Sequence, residues 1–188
     1  MQTRCSIFKG IIESRPMPKN IAVLVTHHFE DTHYNETVEA FRAARHSILN
    51  IEANAGKIIH GQHCTTAVTI DQSIADVNVH SFDALLIPGG HSHDLLSQDQ
   101  RYLEFIQYFA KSNKLIMSIS NGPQLLIQAH VVEGRLMTIN KHHASSLIDA
   151  GAVYYDVNVV NDNNQYISSP SSTDLPYFIR ESLIALSQ

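Results

Sequence analysis

Residues 115–123 read LIMSISNGP, and this stretch decides the fold. Its first five residues form a nearly continuous apolar run, as expected of a strand that is covered on both faces of a parallel sheet. Only Ser120 and Asn121 separate this run from Gly122-Pro123, and proline is well tolerated in the first turn of a helix. A strand that enters a helix through so short a turn pushes the turn residue outward and directs free backbone N–H groups towards it. The sequence therefore predicts a nucleophile elbow at Ser120.

The rest of the chain repeats this alternation of strand-like and helix-like periods. IAVLV at residues 21–25 and ALLI at residues 84–87 predict two more buried strands. Residues 175–186 predict a last helix with an apolar side. Such alternation is typical of a parallel sheet with crossover helices. We therefore predict an α/β fold: a three-layer sandwich in which a mainly parallel sheet has helices on both faces.

The same periodicities predict the other elements. A helix that begins near Asp31 is expected to carry Ile48 on its apolar side, and one helix is expected to run from Asp94 to Phe109. The helix after Pro123 is expected to reach about Val132. The remaining predicted elements are a strand at 51–53, a loop or small hairpin at 56–63, a half-buried strand at 65–70, a short helix at 144–150, and strands at 153–160 and 166–169.

Composition narrows the function classes. The chain has 188 residues, 44% of them hydrophobic, which is the size and composition of one globular domain. With 13 Lys and Arg against 18 Asp and Glu, the net charge of −5 argues against a non-specific nucleic-acid binder. No apolar run reaches the roughly 18 to 20 residues of a membrane helix. We expect a soluble protein whose partners are small molecules or proteins, with no nucleic acid and no membrane.

The two cysteines and the N-terminal residues indicate in which cellular compartment the protein is expected. Cys5 and Cys64 match no disulfide framework or metal-ligand spacing, so a reducing, cytoplasmic setting is expected. Residues 1–18 fail as a signal peptide because Lys9 and Gly10 interrupt their apolar patch. We interpret them as an N-terminal tail, with an organelle-targeting segment as the alternative, and residues 19–188 as the domain.

Several chemically capable side chains follow the predicted strands. In an open parallel sheet, ligands sit beyond the carboxyl ends of the strands. The loops expected at that edge carry Glu30, Asp94, Ser120 and several of the 12 histidines, so these side chains are predicted to share one cleft. The PGG at residues 88–90 lacks both a GxGxxG pattern and a P-loop lysine, which disfavours nucleotide binding, and no cofactor is expected.

Taken together, the motifs resemble the ThiJ/PfpI family of intracellular proteases and amidases, which has a flavodoxin-like, class I glutamine amidotransferase-like fold. They are HHFED, FDALLIPGGHSHDLL, SISNGPQLLIQAHVVEGRLMT, DAGAVYYDVNVVNDNNQYISS and TDLPYF, in the order of that family, and they cover about residues 19–186.

The resemblance implies roles for particular residues. Glu30 would be the acidic residue beside the nucleophile, and the N–H groups of Gly90 and Asn121 would form the oxyanion hole, flanked by Gly89 and His91. Asp94 is similar to an acid that in some members completes a triad across a subunit contact. The resemblance also implies a homodimer or a higher homo-oligomer.

The elbow departs from the family pattern. The family's usual Ile-Cys-His-Gly-Pro is replaced by Ile119-Ser120-Asn121-Gly122-Pro123. A cysteine at a helix N-terminus readily becomes a thiolate, whereas a serine needs a positioned general base, and Asn121 cannot serve as that base. The family's glyoxalase, deglycase or peptidase-like thiol chemistry is therefore unavailable in its usual form, and Cys64 does not restore it.

Three interpretations of the site follow. The preferred one is a pseudoenzyme, a stress-related member that binds, acts as a chaperone or regulates without turnover. The second is an amidase or protease-like hydrolase in which a histidine such as His28, His91 or His93 activates Ser120. Glu30 or Asp94 would orient that histidine. The third is a metal-dependent activity, for which His91 and His93 beside Asp94 are the candidate ligands.

Overall fold

The computed structural model describes residues 17–188. Its central sheet has the strand order β10-β11-β7-β6-β1-β2-β5, in which every pairing is parallel except that of β10 with β11. These strands are β1 (Asn20–Leu24), β2 (Ser47–Glu52), β5 (Gln72–Ser73), β6 (Ala84–Ile87), β7 (Leu115–Ile119), β10 (Val160–Asp162) and β11 (Tyr166–Ser169). Two small sheets accompany it: an antiparallel hairpin of β3 (Ile58–His60) and β4 (Ala67–Thr69), and a parallel pair of β8 (Leu136–Met137) and β9 (Val153–Tyr154).

Helices cover both faces of the sheet. They are α1 (Asp31–Ala43), α2 (Ser92–Leu96), α3 (Gln100–Lys111), α4 (Pro123–Gln128), α5 (Ala144–Asp149) and α6 (Leu175–Leu186), with single 3-10 turns at Val79–Ser81, Lys141–His143 and Ser172–Asp174. Alternate residues of β1 point to opposite sides, so Ile21 and Val23 pack with α1 and α6 while Ala22 and Leu24 pack with α2 to α5. The predicted three-layer α/β sandwich is confirmed.

Two predicted helices end earlier than expected because a residue other than glycine takes a left-handed conformation. Arg45 has φ of 69°, and His46 N–H bonds back to Phe41 O, which closes α1 at Ala43. Ile48 therefore lies in β2, paired with Ile21, and not on the helix, and the strand expected at residues 51–53 begins at Ser47. His130, with φ of 56°, likewise ends α4 well before Val132.

Two other predicted elements are divided. The helix expected from Asp94 to Phe109 is two helices, because the Asp99 side chain accepts the N–H of Arg101 and caps a new helix. The strand expected at residues 153–160 is also two, since β9 pairs with β8 in a small sheet while β10 pairs with β11 in the central one. The loop or small hairpin expected at residues 56–63 contributes one strand, β3, which pairs with β4 from the strand expected at 65–70; β5 and β8 were not predicted.

The structure describes only the last two residues of the expected N-terminal tail, 17 and 18. Residues 1–16 of the expected tail lie outside the described residues, and β1 starts at Asn20. Within residues 17–188, no helix has the length and apolarity needed to cross a bilayer.

Candidate functional site

Ser120 occupies the tight turn between β7 and α4, as predicted. Its φ of 56° is left-handed, and its N–H donates to Ser169 O at 2.8 Å, which fixes the turn to the end of β11. Gly122 is required here because a Cβ at that position would lie 2.6 Å from Ile87 O. The backbone is thus that of a nucleophile elbow with serine at its apex.

In residues 17–188, the one hydrogen-bond partner of the Ser120 hydroxyl is an amide and not a general base. Ser120 is 8% exposed, and its Oγ accepts a long 3.4 Å hydrogen bond from Asn140 Nδ2. Asn140 also donates its N–H to Ser120 O at 3.0 Å, so it contacts the turn through both side chain and backbone. Among residues 17–188, no imidazole or carboxylate hydrogen-bonds to Ser120 Oγ.

Gly89 and Gly90 follow β6 and form the wall next to the elbow. Gly90 has φ of 91° and pairs with Phe29, and a Cβ on it would collide with Glu30 N and lie 2.6 Å from His28 O. Within the described part of the chain, neither the Gly90 N–H nor the Asn121 N–H donates a hydrogen bond to the protein. Both groups proposed for the oxyanion hole therefore retain their hydrogen-bonding capacity.

Glu30 lies beside this wall, where it caps α1. Its N–H donates to Gly89 O at 2.9 Å, and its Oε2 accepts the N–H of His33 at 2.8 Å. Two imidazoles flank the carboxylate, with His33 Nε2 at 3.8 Å and His63 Nε2 at 3.7 Å. Glu30 therefore has a structural role at the start of α1 and also two possible proton-carrying neighbours.

Asp94 lies in α2 and pairs with the two histidines nearest to it in the chain, not with Glu30 or Ser120. It is 64% exposed, with His93 Nε2 at 3.2 Å and His91 Nδ1 at 3.6 Å. His93 Nδ1 donates to Gly90 O at 3.0 Å, and burial lowers the pKa of His93 although Asp94 and this hydrogen bond raise it. Residues 17–188 contain no group of three His, Cys, Asp or Glu side chains arranged to hold a metal ion.

Two residues that sequence reasoning did not select, His33 and Ser172, meet next to Glu30. His33, on the first turn of α1, is 2% exposed, and its Nε2 lies 2.9 Å from Oγ of Ser172, an exposed residue just beyond β11. The His33 ring packs directly on Gly89. A Cβ added to Gly89 would lie 2.5 Å from Nδ1 of His33 and 3.0 Å from Ile119 O. The i, i+3 spacing of Glu30 and His33 was visible in the sequence, but the contact with Ser172 was not.

Asp31 fixes the loop that brings His63 to Glu30. Its buried carboxylate accepts hydrogen bonds from His63 N–H, from the N–H and hydroxyl of Thr65, and from Thr66 N–H, at 2.8 to 3.1 Å. Burial raises the pKa of Asp31, but these hydrogen bonds outweigh burial and leave it below its usual value. Sequence reasoning treated Asp31 only as a helix start.

Comparison with known proteins agrees with this architecture. Residues 19–185 match the sequence profile of the DJ-1/PfpI family. An Escherichia coli protein named Protein/nucleic acid deglycase 2 is 45% identical over 167 residues, which are 89% of this chain and 97% of that protein. General stress protein 18 of Bacillus subtilis is 43% identical over 170 residues, 90% of this chain and 99% of that protein.

A solved structure supports the fold alone. The crystal structure of Drosophila melanogaster DJ-1beta superposes with a TM-score of 0.83 at 20% identity, covering 91% of each chain. The family profile and the two relatives confirm the resemblance drawn from the motifs of the sequence, and this structure confirms the fold.

Proposed function

The chain belongs to the DJ-1/PfpI family, and within it we propose a stress-related binding or regulatory member whose elbow holds a carbonyl or carboxylate group without covalent attack by Ser120. One observation carries this proposal. Ser120 Oγ has only an amide donor, Asn140 Nδ2, within hydrogen-bond distance in residues 17–188. A serine hydroxyl without a base within reach is a poor nucleophile.

The binding part of the proposal depends on backbone donors. The unpaired N–H groups of Gly90 and Asn121 lie on the wall and the turn of the elbow, and such donors suit the oxygen of a carbonyl or carboxylate. The ligand is either a small molecule or a carbonyl-bearing group of a protein. The names of two relatives, a deglycase and a general stress protein, are consistent with carbonyl chemistry and a stress setting.

The elbow geometry also favours a second candidate, a hydrolase that uses Ser120. The left-handed φ of 56° at a serine costs conformational energy, and strained backbone is often kept where it presents a nucleophile. This candidate requires a histidine to move to within hydrogen-bond distance of Ser120 Oγ.

A two-part experiment separates the candidates. Turnover of methylglyoxal and of chromogenic amides and esters is measured for the wild type and Ser120→Ala, with and without a chelator. We expect no methylglyoxal consumption and equal rates for the two proteins on every substrate. Loss of activity in Ser120→Ala would establish the serine hydrolase, and chelator-sensitive turnover that ignores Ser120 would establish the metal-dependent alternative.

Binding is tested on the same protein by titrating glyoxylate, a small oxo-carboxylate, and following backbone amide resonances. We expect shifts at Gly90 and Asn121 and none at Gly134, which lies in an open turn beyond the carboxyl end of α4. Unchanged Gly90 and Asn121 resonances would remove the proposed binding mode.

Oligomerisation is part of the same proposal. Exposed apolar side chains cluster around β8 and β9, where Leu136 is paired with Val153 and Tyr155 follows. Large exposed apolar surfaces are common at interfaces between subunits. We expect sedimentation equilibrium to give at least a homodimer, and a monomer at micromolar concentration would contradict this.

A further inference from the structure

We propose that Ser172 is the reactive serine of this protein: with His33 as its general base, it accepts acyl groups from activated carboxylic esters. This inference goes beyond the function proposed above, because it uses neither the Ser120 hydroxyl nor a ligand at the elbow. Both residues lie at the carboxyl edge of the sheet, Ser172 after β11 and His33 in the first turn of the helix that follows β1.

Ser172 and His33 are in direct contact. Ser172 Oγ lies 2.9 Å from His33 Nε2, although 139 residues separate the two in the chain. A nucleophile within hydrogen-bond distance of an imidazole is the arrangement that activates serine for covalent catalysis. Ser172 is exposed to solvent while His33 is buried beneath it, so a substrate can reach the hydroxyl without displacing the base.

The His33 ring is in the protonation state that a general base requires. Burial lowers the pKa of His33 and Glu30 raises it in part, so the ring is neutral at pH 7 and able to accept a proton. When it does, the Glu30 carboxylate, 3.8 Å from Nε2, stabilises the imidazolium. Glu30 is therefore a positioning residue for His33 in this site.

The other ring nitrogen of His33 has an unsatisfied hydrogen-bonding capacity. His33 Nδ1 is buried and has no hydrogen-bond partner among residues 17–188. A buried unpaired polar atom destabilises a protein, so it calls for an explanation other than stability. An imidazole kept beside a solvent-exposed hydroxyl for proton transfer provides one.

Backbone donors are also available next to Ser172. Within the described residues, the N–H groups of Ser172 and Thr173 donate no hydrogen bond to the protein. The N–H that follows a nucleophilic serine is a usual oxyanion donor in hydrolases. Developing negative charge on a carbonyl oxygen at Ser172 can therefore be stabilised locally.

The reaction balances with water as the only co-reactant. Ser172 Oγ forms a bond to the ester carbonyl carbon while its proton moves to His33 Nε2. The C–O bond to the leaving alcohol then breaks, and that oxygen takes the proton from Nε2. Water attacks the acyl-Ser172 ester with His33 again taking a proton, which returns to Ser172 Oγ as the acid leaves.

The test is labelling of the full-length protein with a fluorophosphonate probe, followed by peptide mass spectrometry. Ser172 Oγ is expected to bond to phosphorus as fluoride leaves, so the adduct should map to Ser172. Labelling should be absent in Ser172→Ala and fall on the order of 100-fold in His33→Asn. It should be unchanged in Ser187→Ala, a matched control because Ser187 is exposed and its hydroxyl bonds only to Ile184 O.

Two outcomes of labelling would overturn the proposal: an adduct on Ser120, or no adduct on Ser172 at probe concentrations that label an ordinary serine hydrolase. Neither outcome decides whether glyoxylate shifts the Gly90 and Asn121 amides. The adduct and the amide shifts therefore fail independently, and failure here is distinguishable from failure of the proposed function.

Two further measurements do not depend on His33→Asn folding. Base catalysis requires the neutral His33 ring to carry its proton on Nδ1, so nitrogen NMR of the wild type should show that tautomer, and a proton on Nε2 would overturn the assignment. The labelling rate should rise with pH through the His33 pKa. In Glu30→Gln, which can still cap α1, the midpoint should move to lower pH because the carboxylate no longer raises that pKa. An unmoved midpoint would remove Glu30 from the site.

Discussion

At the scale of single residues, the reactivity expected of a serine hydroxyl differs between Ser120 and Ser172 because their neighbours differ. Ser120 has the backbone of a nucleophile but an amide as its neighbour, whereas Ser172 has an ordinary turn backbone and an imidazole at 2.9 Å. Because a serine hydroxyl reacts only when a base removes its proton, the neighbour matters more than the position in the elbow. The two proposals above follow from this difference.

Gly90 gives a prediction that separates backbone conformation from steric contact. Alanine at Gly56, with φ of 80° and no neighbour within 4 Å of a Cβ, should cost about 1 kcal/mol of unfolding free energy for the left-handed conformation alone. Alanine at Gly90 adds a collision with Glu30 N and His28 O, so the loss should exceed that of Gly56→Ala by about 1 to 3 kcal/mol. Urea denaturation of both variants measures the difference, and equal losses would show that the wall beside the elbow yields easily.

At the scale of elements, hydrogen bonds between a helix and a hairpin determine which side chains lie at the site. The β3–β4 hairpin is held against α1 by Asp31, and its loop brings His63 to Glu30. Gly61 allows this approach, since a Cβ on it would overlap the Asp31 carboxylate. A single carboxylate at the start of α1 thus positions one wall of the candidate site.

Asp31→Asn tests how much the hydrogen bonds between Asp31 and the hairpin loop contribute to stability. The amide would turn an N–H group towards backbone donors that now bond to the carboxylate, so we expect a loss of about 1 to 3 kcal/mol at pH 7. Because the folded pKa of Asp31 is below its usual value, its contribution is present above about pH 3.8 and is lost as pH falls through the folded pKa. Urea denaturation should therefore show a difference between wild type and variant that shrinks below pH 3.8. A difference that persists at low pH would mean that shape, and not charge, holds the loop.

At the scale of the whole molecule, four of the 12 histidines make the stability of the fold depend on pH. Burial is the largest cause that lowers the pKa of four of them, His27, His33, His46 and His93. Two of these rings accept a backbone N–H on Nδ1: His27 from His60 and His46 from Lys19. A protonated ring cannot accept these bonds, so the folded protein holds the rings neutral.

The unfolding free energy should consequently fall on mild acidification. Below pH 6.5 these histidines bind protons in the unfolded chain but not in the folded protein. Their contribution to the unfolding free energy is therefore full above pH 6.5 and decreases as pH falls towards the folded pKa values. Each unit by which such a pKa is lowered corresponds to about 1.4 kcal/mol. Denaturation between pH 8 and pH 5 measures the slope, and His46→Asn should reduce it. A flat profile would contradict the linkage.

The sequence by itself determined the layers, the buried strands, the elbow and the loss of its cysteine and histidine, because these are properties of local periodicity and residue type. β6, β7, β11 and α6 have the predicted bounds for this reason. The ends of α1 and α4 were not predictable, since the left-handed residues that follow them, Arg45 and His130, are not glycines.

Only the tertiary structure decided which polar groups meet. Asn140 reaches Ser120 from 20 residues away, and Ser172 reaches His33 from 139 away, and neither spacing has a sequence signature. It also showed that Asp94 pairs with His91 and His93, its neighbours in the chain, and that Glu30 caps a helix. The physical reason is that hydrogen bonds between elements depend on how the strands are ordered and how the helices pack on them, and pattern along the chain does not record these distances.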